Sequence, residues 1–174
     1  MKSQIAPLVL ALALIASTAA HADVTVSFTE SAPKDSFTVT NTGSCDIGPS
    51  TVTIDLSTSV GGLIFDTTGS GAGVQVFQPF ELVSGANRLV AVTAVSDGNN
   101  LIELQLSGLP PGEAVAFTID VDDTLTNSTM GQTRVAGSEI SGAVVSITGM
   151  TATKKSAAFT ASGKASVVHS GCTS

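Results

Sequence analysis

The chain has 174 residues, with 14 acidic and 7 basic side chains, a formal net charge of −7, two cysteines and neither Trp nor Tyr. An excess of carboxylates makes nucleic acid and anionic lipid poor partners, since both need a basic face. The missing rings also disfavour a sugar-cleaving or sugar-binding site built on aromatic platforms.

The opening "MKSQIAPLVLALALIASTAAHADVT" has Lys2 as a short positive region, then an apolar run, then Ala20-His21-Ala22 as a small-x-small cleavage site before Asp23. This predicts a secretory signal peptide over residues 1–22 and a secreted mature chain, periplasmic or extracellular. The run falls short of the roughly 20 apolar residues a spanning helix needs. No later stretch reaches that length, so no membrane insertion of the mature chain is expected. Residues 23–174 are read as one domain, long enough to bury a core. All 14 acids lie within 23–139, beside Lys34, Arg88 and Arg134, whereas 140–174 holds Lys154, Lys155 and Lys164 and no acid. That split suits a tail lying on its own acidic body, or head-to-tail attraction between copies.

The mature chain alternates with period two almost throughout. "VTVSFTE" puts Val24, Val26 and Phe28 on one face, and "SFTVT" does the same with Phe37 and Val39. "TVTIDLS" turns Val52, Ile54 and Leu56 inward and Thr53 and Asp55 to water. "GLIFDTT" follows, then the Gly/Ser stretch "TTGSGAGV", read as a flexible loop. "VQVFQPFELV" carries Pro79, which cannot donate a ladder bond and marks an edge or a bulge. "RLVAVTAV" and "LIELQLS" flank the hairpin turn signal "SDGNN". Leu109-Pro110-Pro111-Gly112 reads as a crossing between sheets, with Leu109 plugging one end. "AVAFTIDVDD" is the clearest strand, with Val115, Phe117, Ile119 and Val121 inward. "AVVSIT", "AAFTAS" and "KASVV" complete the set, the last two joined at Gly163. Short strands with no helices between them predict an all-β fold: an Ig-like antiparallel β-sandwich with Greek-key connections. A small β-barrel is the alternative.

Catalytic motifs are absent. The mature chain has one histidine, His169, and no G-x-S-x-G elbow, phosphate loop or dinucleotide fingerprint. No enzyme is expected. In an exported protein, Cys45 and Cys172 read as one intramolecular disulfide, the rivals being free thiols or a bridge to another chain. The clearest candidate site is acidic. Asp120 and Asp122 share the outward face of their strand, and Asp123 follows where the strand ends. Together they are half of a calcium site of hard oxygen ligands, to which Asp66 and Asp97 add if their loops gather at the same end. The bland reading is a solvated acidic strand end that keeps the edge soluble.

Three segments carry a family resemblance: "TNTGSCDIGPSTVTIDLS", "GGLIFDTTGSGAGVQVFQPFELV" and "GLPPGEAVAFTIDVDDT". Across roughly residues 24–148 the chain resembles small secreted bacterial proteins of the aggregation factor core type. The resemblance implies an extracellular, calcium-associated, adhesive role, with Asp120, Asp122 and Asp123 as the cation contacts and no catalytic residue. The expected partner is a cell-surface or matrix protein, a glycan, or another copy. Two other classes stay open: a pilus or coat subunit using "DVTVSFTES" for strand addition, and a secreted carbohydrate-active hydrolase using Asp pairs.

Overall fold

Alternation of apolar and polar residues builds two sheets that bury their apolar faces against each other. The computed structural model describes residues 22–150 and 154–169. The strands are β1 (Ala22–Thr29), β2 (Ser36–Asn41), β3 (Ser50–Asp55), β4 (Ile64–Asp66), β5 (Glu81–Ser84), β6 (Leu89–Val92), β7 (Leu101–Leu106), β8 (Ala114–Thr118), β9 (Asp120–Asp122), β10 (Val144–Gly149), β11 (Lys154–Ala158) and β12 (Lys164–His169). The one α-helical turn among the described residues is α1 (Gly137–Ile140). The first sheet has the order β12-β1-β2-β8-β5, the second β11-β10-β3-β7-β6, and β4 and β9 form a separate two-stranded ribbon. Every pairing is antiparallel. The fold is an antiparallel β-sandwich.

The burial pattern follows the sequence alternation, buried at every second position in β2 and β3. Val24, Val26, Phe37, Val39 and Phe117 of the first sheet face Val52, Ile54, Ile102, Leu104 and Val145 of the second. Phe37 is the hub of this core. It stacks on Phe117 at 5.3 Å between centroids, lies 5.1 Å from Phe28, and meets Phe65 and Phe159 edge-on, each at 6.5 Å. Such pairs contribute about 0.5–1.5 kcal/mol each beyond their burial.

The crossing after β7 is as expected: Leu109 is buried, its backbone bridges Ile47, and Asn41 Nδ2 donates to its carbonyl at 2.7 Å. Gly112, at φ 76°, permits the turn into β8. β1 is paired on both sides, with β12 and with β2. Cys172 and residues 1–21 lie outside the described residues, and so therefore do the proposed disulfide and most of the signal peptide. No cysteine among the described residues is free.

Two strand expectations change. "VQVFQPFELV" pairs only over β5, and even there a bulge separates Leu82 from Ser84. Pro79 lacks the N–H that a longer strand would need. The "AVAFTIDVDD" strand breaks at Ile119. Up to Thr118 the chain pairs with β2 and β5. Beyond it, Ile119 N donates to Asp35 O and Val121 N to Asp35 Oδ2, each at 3.0 Å. The chain thus leaves the first sheet and becomes one half of the β4–β9 ribbon.

Candidate metal centre

Register in that ribbon sets Asp66 directly opposite Asp120, Phe65 opposite Val121 and Ile64 opposite Asp122. Residues that face each other across a ladder, or lie two apart along a strand, share a side of the sheet. Asp66, Asp120 and Asp122 therefore line one face of the ribbon. Phe65 and Val121 line the other, which is sunk in the core. One carboxylate oxygen from each aspartate lies within 4.8 Å of the other two.

The alternation predicts that Asp120 and Asp122 look out to water, and the structure corrects this. The aspartates do sit opposite the core-facing side chains, but Asp66 is 0 % exposed and Asp120 and Asp122 are 1 % exposed. Residues 67–78 fold back across the carboxylates as a roof. Val74 N donates to Asp122 Oδ2 at 2.8 Å, Gln78 N to Asp66 O at 3.3 Å, and Asp120 N to Gln78 O at 3.0 Å. The backbone at Gly73 comes so close that a Cβ there would collide with the Asp66 carboxylate. Gly71 stands in the same relation to Asp97. The glycines of "TTGSGAGV" are thus packing residues that let main chain lie on carboxylates.

The other two candidate ligands fall outside the trio. Asp97 is half-exposed and organises the roof: its Oδ1 accepts from Thr67 N (2.9 Å) and Thr68 N (3.2 Å), and its Oδ2 from Ala72 N (2.7 Å). These bonds to its charged form hold its pKa down at about 2. Asp123 is buried, and its Oδ1 accepts from Leu125 N at 2.9 Å in a local turn. Its Oδ2 is buried without a partner. Asp35 was not visible as a site residue. It is fully buried, accepts from Ser31 N (2.8 Å) and Val121 N, and so positions β9 from behind. Nothing local in "APKDSF" marks it, because Val121, the contact that ties it to the site, lies 86 residues away.

Electrostatically the trio is uncompensated. Both carboxylate oxygens of Asp66, and Oδ1 of both Asp120 and Asp122, are buried without a hydrogen-bond partner. The ion pairs among the described residues join Lys34 to Glu81, Arg88 to Glu113 and Arg134 to Glu30, and none reaches the trio. Burial, reinforced by a side-chain contact with Asp97 and the charge of Asp122, pushes the Asp66 carboxyl up to about 7. Burial, followed by the charges of Asp122, Asp35 and Asp66, pushes Asp120 to about 8. Asp122 is raised chiefly by burial. Asp35 is raised to about 7, again chiefly by burial, against its two backbone bonds. Ionised, the trio needs a cation among its oxygens; without one it must take up protons.

The donor set fits calcium. Calcium takes hard oxygen ligands at about 2.3–2.6 Å, so two oxygens on one ion lie at most about 5 Å apart. The trio satisfies that limit. Three carboxylates offered from a ribbon supply up to half of the six to eight oxygens that calcium accepts in its flexible shell.

No protein-family model matches this chain, and neither a curated protein nor a solved structure matches it.

Proposed function

We propose that this is an exported, non-enzymatic β-sandwich of the adhesion or aggregation type, in which Asp66, Asp120 and Asp122 hold one calcium ion. The observation that carries the reading is Asp66, whose two carboxylate oxygens are buried among other carboxylates with no donor group to satisfy them. A buried carboxylate left this way costs several kcal/mol unless a counter-charge joins it. The ion's part is structural: it cross-links β4 to β9 and offsets most of the pocket's negative charge. The adhesive role rests on the resemblance of residues 24–148 and on the character of the site. A polysaccharide cannot reach carboxylates 0–1 % exposed beneath a roof, which counts against a hydrolase. β1 is paired on both sides within its own chain, which counts against its use in strand addition.

The disulfide belongs to the same reading. Thr42 N bonds Asp23 O, and Ala22 pairs with His169, so the turn holding Cys45 lies beside the strand end that leads to Cys172. Three further residues reach about 10 Å, which favours a Cys45–Cys172 bond. Intact-mass measurement with and without reductant checks it, the expected result being a gain of two hydrogens on reduction.

Beads coated with the protein test the function. They are expected to cluster in calcium, disperse on chelation, and stay dispersed when coated with Asp66→Asn protein. Clustering that ignores both calcium and the substitution would remove the cation from the adhesive role. No clustering in any condition, against cells or beads, would remove the adhesive role itself.

A further inference from the structure

We propose that residues 67–78 form a flap that the bound cation locks shut, an inference that rests on the calcium reading above. The flap is fastened at two places. At its base, Thr67 N, Thr68 N and Ala72 N all donate to Asp97. At its far side, Val74 N donates to Asp122 Oδ2 and Gln78 N to Asp66 O. Asp122 is the coupling element. One of its oxygens holds the flap, and the other, Oδ1, is buried in the trio without a partner. A cation on Oδ1 fixes the carboxylate whose other oxygen holds Val74.

Asp66 joins the trio to the flap a second time. Its side chain contributes two orphaned oxygens, its carbonyl accepts from Gln78, and Gly73 lies directly on its carboxylate. With the cation removed, both oxygens of Asp66 and Oδ1 of Asp120 and Asp122 are buried with no donor, and water reaches them only when the flap lifts. The flap is also the door, because the trio is otherwise closed by the ribbon and the core. Val76 and Phe77 are exposed on the flap, Phe77 packing over Gly69, where a Cβ would sit 3.0 Å from the ring. The cation therefore sets whether this apolar pair is presented in a fixed place.

Amide hydrogen exchange on metal-stripped protein, with and without calcium chloride, tests the flap, and calorimetric titration of the same sample reports binding. If opening requires release of the ion, calcium at a hundred times its Kd slows exchange at Ala72 and Val74 about 100-fold. The amides of Arg88 and Leu89, which bond Gly85 O and none of the aspartates, are expected to stay unchanged. Asp97→Ala leaves the trio in place. It is expected to bind calcium while Thr67, Thr68 and Ala72 exchange rapidly even at saturation. Gly73→Ala wedges the flap against Asp66 and is expected to raise the calcium Kd at least about tenfold. Calcium binding with unchanged exchange at Ala72 and Val74 would overturn the flap and leave the metal centre standing. No binding at all would overturn the metal centre, and the flap with it.

Discussion

The tripeptide Thr-Ile-Asp occurs twice, as Thr53-Ile54-Asp55 in β3 and as Thr118-Ile119-Asp120 at the junction of β8 and β9. Both isoleucines are fully buried and both threonines half-buried. The aspartates differ. Asp55 is half-exposed and accepts from Ser57 N at 2.9 Å, whereas Asp120 is 1 % exposed with an orphaned oxygen. Asp55 sits on an ordinary sandwich face between Val144 and Leu101. Asp120 faces Asp66 across a ribbon that residues 67–78 cover. The same local chemistry becomes a solvated strand end in one place and a charged pocket in the other. The strand itself does not decide the outcome; a distant loop does.

The comparison can be broken first at its shared member. Ile54→Ala and Ile119→Ala each remove a fully buried side chain and are expected to cost about 2–5 kcal/mol in denaturant unfolding. A cost under about 1 kcal/mol at Ile119 alone would show that the ribbon is not part of the packed core.

The aspartates should then diverge. Calcium at a hundred times its Kd is expected to stabilise the wild-type protein by about 2.7 kcal/mol, seen as a rise in Tm. Asp120→Asn should lose this increment and melt higher than the wild type at neutral pH without calcium, since it removes a carboxyl that folding forces to take up a proton.

The metal-free protein should also respond to pH. The Asp66 and Asp120 carboxyls ionise near 3.8 in the unfolded chain but near 7 and 8 when folded. A carboxyl with a raised folded pKa contributes stability that is complete below its unfolded pKa and lost as pH rises through the folded one. Tm is therefore expected to fall from pH 5 to pH 8 without calcium, and calcium should reduce the fall by binding the ionised trio, leaving the part due to Asp35, also raised to about 7. Asp97 works in the opposite sense: its contribution is present above pH 3.8 and lost as pH drops towards about 2. The smallest effect belongs to Asp55→Asn, expected to stay within about 0.5 kcal/mol with calcium stabilisation intact.

Most of the sandwich was legible because period-two alternation is a local signal. Val24, Val26, Phe37, Val39, Val52, Ile54, Val115 and Phe117 all face the core, as their spacing implies. The acidic site was legible in kind but not in geometry. Asp120 and Asp122 do share a side, but Asp66 joins them through a pairing between positions 54 residues apart, which no local pattern encodes. Asp123 and Asp97 were natural companions by composition, yet each spends oxygens on main-chain amides instead. The roof is legible as a loop but not as a cover over carboxylates. Glycine and serine in series suggest freedom when seen alone, and close approach only once a carboxylate is known to lie beneath.

Calorimetric titration of calcium chloride into metal-stripped protein at neutral pH is the most direct test of the account. The expected result is one ion per chain, with binding abolished in Asp66→Asn and Asp120→Asn and retained in Asp55→Asn. Absence of heat, together with an unmoved Tm in millimolar calcium, would contradict it and leave the three buried carboxylates as a proton-sharing cluster.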